Sequence, residues 1–100
     1  MEIQKSAIAG TLESSDVQVT VEPGANGIEL AIESSVMNQY GRAIRRTVLA
    51  TLERLGVTAA RVQVVDKGAL DCTIRARVEC AVFRSAGASA KDIPWGGAVR

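Results

Sequence analysis

Apolar and polar residues alternate from Asp16 to Glu22, with Val17, Val19 and Val21 on one side and Gln18 and Thr20 on the other. A period of two predicts a strand with one buried face. Ahead of it, Lys5 to Glu13 is rich in apolar and small residues, and a strand there places Ile8, Gly10 and Leu12 on one face. Ser14 and Ser15, flanked by Glu13 and Asp16, then read as a two-residue polar link in a hairpin. The link lacks the Asn-Gly signature, so the pattern leaves its turn type open.

"EPGANG", from Glu22 to Gly27, is a strong turn signal. Ile28, Leu30 and Ile32 then alternate with Glu29, Ala31 and Glu33, which predicts a third strand, most simply antiparallel to the second. "ESSVMNQYG" leads into a helix, with Ser34 or Ser35 as the candidate cap. Tyr40, Ile44, Val48, Leu52 and Leu55 follow at helical spacing, and Gly56 stands where a C-terminal glycine belongs. Val57 to Asp66 predicts a fourth strand with Val62 and Val64 facing the core, and "DKGALD" a turn. From Leu70 to Val82 two periods compete, since the residues alternate as in a strand but also form the i, i+4 series Leu70, Ile74, Val78 and Val82. Length favours a helix, because a strand so long would be about twice the usual size. Asp71 near the start and Gly87 after the end are helix punctuation as well. The expected fold class is α+β, in the order β-β-β-α-β-α: a mostly antiparallel sheet of about four strands with two helices on one face. Residues 1–100 are expected to form one domain, with an irregular tail at 88–100.

Composition narrows the chemistry. Apolar residues make up 47% of the 100, ample for one core. The formal net charge of +1 gives no long-range pull toward nucleic acid or an anionic membrane, and neither is an expected partner. "MEIQKSAIAG" holds no apolar run of signal-peptide length, and nothing approaches the roughly 18 apolar residues that span a bilayer. The expected location is cytoplasmic. Cys72 and Cys80, eight residues apart, would be about 12 Å apart on a helix or about 26 Å on a strand, beyond disulfide reach. They read as small buried hydrophobes. The chain has no histidine, which removes Ser-His-Asp and Cys-His mechanisms, and no acidic cluster has loop-ligand spacing for a metal. A stand-alone enzyme is not expected.

Three features remain. Ser14 and Ser15 read either as a plain polar turn or as a modification site, where another enzyme supplies the catalysis and only an accessible hydroxyl is needed. Arg42, Arg45 and Arg46, with Arg75 and Arg77, are either a hydrated surface or a docking patch for an acidic partner or a phosphate. Trp95 either folds back onto the domain or anchors in a partner. A non-carrier interaction module built on the arginines and Trp95 is therefore one functional reading.

"AIAGTLESSD" closely resembles the prosthetic-group attachment region of the citrate lyase acyl carrier proteins, the small gamma subunits of citrate lyase. "DKGALDCTIRARVE" and the late "PW" resemble the same family, and the likeness covers nearly the whole chain. The resemblance implies a non-catalytic carrier whose serine, here Ser14 rather than Ser15, bears 2'-(5''-phosphoribosyl)-3'-dephospho-CoA through a phosphodiester. It implies that the arm's thiol carries acetyl and citryl groups between the acyl-transferase and lyase subunits. The implied partners are the citrate lyase alpha and beta subunits, a prosthetic-group transferase and an acetylating ligase. The carrier subunit of malonate decarboxylase is a variant of this reading, against which "GALDCTIRARVE" argues. A carrier of this kind should expose Ser14 at a hairpin tip held by few contacts and more mobile than its strands. Leu12 and Val17 should bury their side chains, and the acidic Glu13 and Asp16 should repel the phosphodiester and extend the arm into solvent.

Overall fold

The structure, a computed structural model, describes residues 2–25, 27–34 and 37–86, with backbone alone at 37–40. The elements run β1 (Ala7–Gly10), β2 (Val17–Glu22), β3 (Ile28–Ser34), α1 (Met37–Arg54), β4 (Ala60–Asp66) and α2 (Asp71–Ser85). The ambiguous segment after Leu70 is a helix, as its length argued. The expected tail at 88–100, Trp95 within it, and the Tyr40 side chain lie outside the described residues.

The strands form one sheet in the order β1-β2-β4-β3. β2 pairs antiparallel with β1 and with β4, whereas β3 pairs parallel with β4. The third strand is thus not the antiparallel neighbour of the second. "EPGANG" reads locally as a hairpin turn, but it carries the chain past the place that β4 later fills. The β3-α1-β4 crossover supplies the parallel pair, which needs a long connection of this kind.

The valine alternation sets the packing. Val17, Val19 and Val21 of β2 and Ala60, Val62 and Val64 of β4 are buried, and both helices pack on that side. Gln18, Thr20, Arg61 and Gln63 point the other way and are half-buried or exposed. From α1 come Ile44, Val48 and Leu52, with Leu55 just past its end, and from α2 come Ile74, Val78, Ala81, Val82 and Phe83.

α1 ends as its sequence predicts. Gly56 has φ +71°, its N–H bonds the Glu53 carbonyl at 3.0 Å, and the Val57 N–H bonds the Leu52 carbonyl at 3.0 Å. This pair of bonds is the Schellman termination, which needs a left-handed residue at that position. Of the two candidate caps at the start of α1, Ser34 is excluded. Ser34 closes β3 and donates its hydroxyl to Asp66 Oδ2 at 2.8 Å, while Ser35 lies outside the described residues. Nor are both cysteines buried. Cys72, in the first turn of α2, is exposed, and Cys80 is half-buried.

Candidate functional site: the Ser14 corner

β1 is shorter than its pattern suggested and carries the opposite face inward. Ala9 is 2% exposed, whereas Ile8 and Leu12 are 52% and 55% exposed. Gly10 explains the early end. At φ +89° it turns the strand away, and a Cβ there would lie 1.8 Å from the Val17 carbonyl oxygen and 3.2 Å from Arg77 Cδ. Leu12 therefore falls outside the strand, and the expectation that it buries its side chain does not hold. Val17 is fully buried as expected.

The connection to β2 is a six-residue loop from Thr11 to Asp16, not a two-residue link. A turn closes between the Asp16 N–H and the Glu13 carbonyl at 3.1 Å, with Ser14 and Ser15 at its centre and Ser15 at φ +65°. The Ser15 N–H donates to the Lys67 carbonyl at 2.8 Å, and the Lys67 N–H donates to the Asp16 carbonyl at 2.9 Å. The loop is thereby stitched to the segment that follows β4.

Asp16 is the centre of this corner. Its carboxylate accepts the Thr11 hydroxyl at 2.6 Å and the Val17 N–H at 2.8 Å. Arg77 of α2 reaches it with both Nε and Nη2, at 3.2 and 3.1 Å. Chiefly the Thr11 hydroxyl, then the Val17 amide, with Arg77 adding to them against the cost of burial, hold the carboxyl at about 2, below its ordinary 3.8. The Thr11 hydroxyl also accepts the Glu13 N–H at 3.2 Å. Two expectations change. The corner is held by a dense polar network rather than by few contacts, and the Asp16 charge is met by a guanidinium rather than left to repel an arm.

Ser14 is exposed at the crest of the turn, as expected, and none of these bonds uses its hydroxyl. Asp16, the one carboxylate locked beside it, is committed to Thr11, Val17 and Arg77 and is no general base. Sequence reasoning found Ser14 but missed Thr11, Gly10 and the Asp16–Arg77 pair. The last joins residues 61 apart, and no local periodicity signals such a pairing. Among the described residues no cluster of His, Cys, Asp or Glu could hold a metal ion, and no helix is long and apolar enough to cross a membrane.

Fold and corner define a class: a small two-layer α+β platform that displays a serine hydroxyl on a braced turn without chemical groups to activate it. A family model described as the malonate decarboxylase delta subunit (MdcD) matches residues 4–85. The citrate lyase acyl carrier protein of Streptococcus uberis is 55% identical over 87 residues, covering 87% of this chain and 86% of its own. That of Vibrio cholerae is 52% identical over 96 residues, 95% of this chain and 96% of its own. Among solved structures, a chain of a Pseudomonas malonate decarboxylase hetero-tetramer, crystallised with malonate, aligns at a TM-score of 0.71 and 25% identity, over 82% of this chain and 84% of that one. The chain belongs to the citrate lyase acyl carrier protein family, and these relatives support an acyl carrier role within a multi-subunit complex.

Proposed function

We propose that this chain is the covalent carrier of the phosphoribosyl-dephospho-CoA group of citrate lyase, with Ser14 Oγ as the attachment atom. The observation that carries the reading is the Ser14 corner itself. Its hydroxyl is exposed and unactivated, while the backbone beneath it is fixed by the Asp16–Arg77 and Ser15–Lys67 contacts. A hydroxyl that another enzyme must find needs accessibility and a defined place, and no base of its own.

The residues present fit such a group. A phosphodiester on Ser14 would stand on a turn whose nearest fixed carboxylate is neutralised by Arg77, so only the exposed Glu13 opposes it. During loading, Ser14 Oγ displaces the leaving group from the donor's phosphorus, and the transferase takes the hydroxyl proton. When bound, the group supplies a thiol that holds acetyl and citryl as thioesters for the acyl-transferase and lyase subunits. The chain's own work is placement, which raises the local concentration of that thioester at each active site.

Intact mass of the protein, coexpressed with the prosthetic-group enzymes, tests this. Wild type should gain one adduct and Ser14→Ala none, and Ser15→Ala should still gain it. An adduct on Ser14→Ala would refute the site, and an unmodified wild type would refute the carrier function. A second reading, the malonate decarboxylase carrier, is favoured by the family description and by the solved neighbour. Loaded protein that restores malonate decarboxylase subunits and not citrate lyase subunits would select it. Restoration of citrate lyase by Ser14→Ala would instead favour an interaction module.

A further inference from the structure

The Lys67 carbonyl that holds the Ser15 N–H at 2.8 Å begins a short path across the surface. The next residues, from Gly68 to Asp71, form one wall of a half-open groove of about 600 Å3, and α1 forms the other through Ala43, Ile44 and Thr47. Leu70 is 72% exposed in this wall. Three Cα steps and one hydrogen bond separate Ser15 from Leu70, so the groove begins no more than about 18 Å from the turn. Its volume is that of a small-molecule site.

We propose that this groove is the resting site of the tethered arm: the pantetheine end and its acyl group lie against Ala43, Ala69 and Leu70, and the arm's phosphates meet Arg46. This rests on the loading of Ser14 proposed above. Three observations carry it. The groove and the attachment turn are joined by the same segment, Lys67 to Leu70. The lining that faces the groove is largely apolar, as a gem-dimethyl chain and a short acyl group require. Charge is distributed to match. Arg46 lines the groove and Arg42 and Arg45 are exposed on the same helix, and among the described residues the ion pairs involve Arg54, Arg61 and Arg77 instead. Two carboxylates also line the groove. Asp66, 1% exposed, accepts the Ser34 hydroxyl and the Ala69 N–H, and Asp71 accepts the Thr47 hydroxyl. Both carboxylates are thus engaged by neighbouring donors, which leaves Arg46 as the group in the lining that attracts phosphate.

The energetics suit a carrier. A short tether supplies an effective concentration on the order of millimolar, so a groove with millimolar affinity is about half filled. A shallow, half-open groove gives affinity of that order, which a docking enzyme overcomes easily. The resting thioester is meanwhile shielded from water.

The test compares holo protein, verified by intact mass to carry its adduct on Ser14, with the apo form. Amide resonances of residues 43–47 and 68–74 should shift between the two, beyond those of 11–16. Iodoacetamide should alkylate the tethered thiol about twofold more slowly than free dephospho-coenzyme A, as when about half of the arms are docked. Ala43→Trp and Leu70→Asp, both at exposed positions and checked for unchanged circular dichroism, should restore the free rate. Added to apo Ser14→Ala, free dephospho-coenzyme A should shift the same amides only at millimolar concentration. Saturation at micromolar concentration would mark a site for a free coenzyme and overturn the tethered assignment. An adduct with shifts confined to 11–16 and a thiol as reactive as the free one overturns this inference and leaves the loading intact. Absence of any adduct on wild type overturns both.

Discussion

Asp16 shows how much one side chain can set. Its carboxyl titrates near 2 in the folded chain against an ordinary 3.8, so between those values the unfolded chain binds more protons than the native one. The stability this group contributes is whole above about pH 4 and is lost as pH falls toward 2. Asp16→Asn should lower stability at pH 7 by about 1 kcal/mol, because Arg77 is partly solvated and recovers water when its partner is lost. It should also flatten the dependence on pH between about 4 and 2. Urea unfolding at a series of pH values measures both. At this scale the sequence disclosed the exposed serine, since adjacent polar residues between two apolar runs have few other places to go. It did not disclose the inward face of β1. Ala9 is too small to weigh in a periodicity, so the larger Ile8 and Leu12 suggested the wrong side. The positive φ at Gly10 that ends the strand leaves no trace in alternation.

Elements fared according to how local their causes are. The body and the end of α1 were legible because its period and the glycine that terminates it are both local signals. Gly56→Ala should cost about 1 kcal/mol, the strain of a Cβ in the left-handed region, read as a lower urea midpoint with unchanged slope. α2 was legible once length decided between two periods. The pairing of β3 was not, because alternation identifies a strand and its faces without naming a neighbour. β2 and β3 are consecutive in the chain, yet β4 lies between them, and the cause is the crossover through α1 rather than anything in "EPGANG".

At the scale of the molecule, an inward ion pair ties the two helices of the layer together. Glu79 of α2, with its side chain 2% exposed, meets Arg54 of α1 at 2.9 Å. Glu79→Ala should destabilise the domain by about 2–3 kcal/mol, below the usual loss for a broken buried pair because Arg54 is partly exposed and regains solvent. Thermal unfolding would show this as a fall in Tm, and Glu79→Gln should recover part of it. A second set of ties joins α2 to the edge of the sheet. Arg84 donates to the Ile8 carbonyl at 2.7 Å, and the N–H groups of Gln4 and Lys5 donate to the Ser85 carbonyl at 3.0 and 3.1 Å. β1, only four residues long, is thus clasped by α2, which keeps the loop from Thr11 to Asp16 registered against the rest of the domain.

The Asp16–Arg77 contact has a consequence in time as well as in space. Residues 11–16 leave the ribosome early, but their turn is finished only after residue 77 has followed and α2 has packed. A chain that ends before residue 77 lacks the guanidinium that braces Asp16. With Ser14 loaded as proposed, an enzyme that recognises the braced turn rather than the bare peptide would act only on chains folded through α2, and the coenzyme would be spared from attachment to unfolded protein.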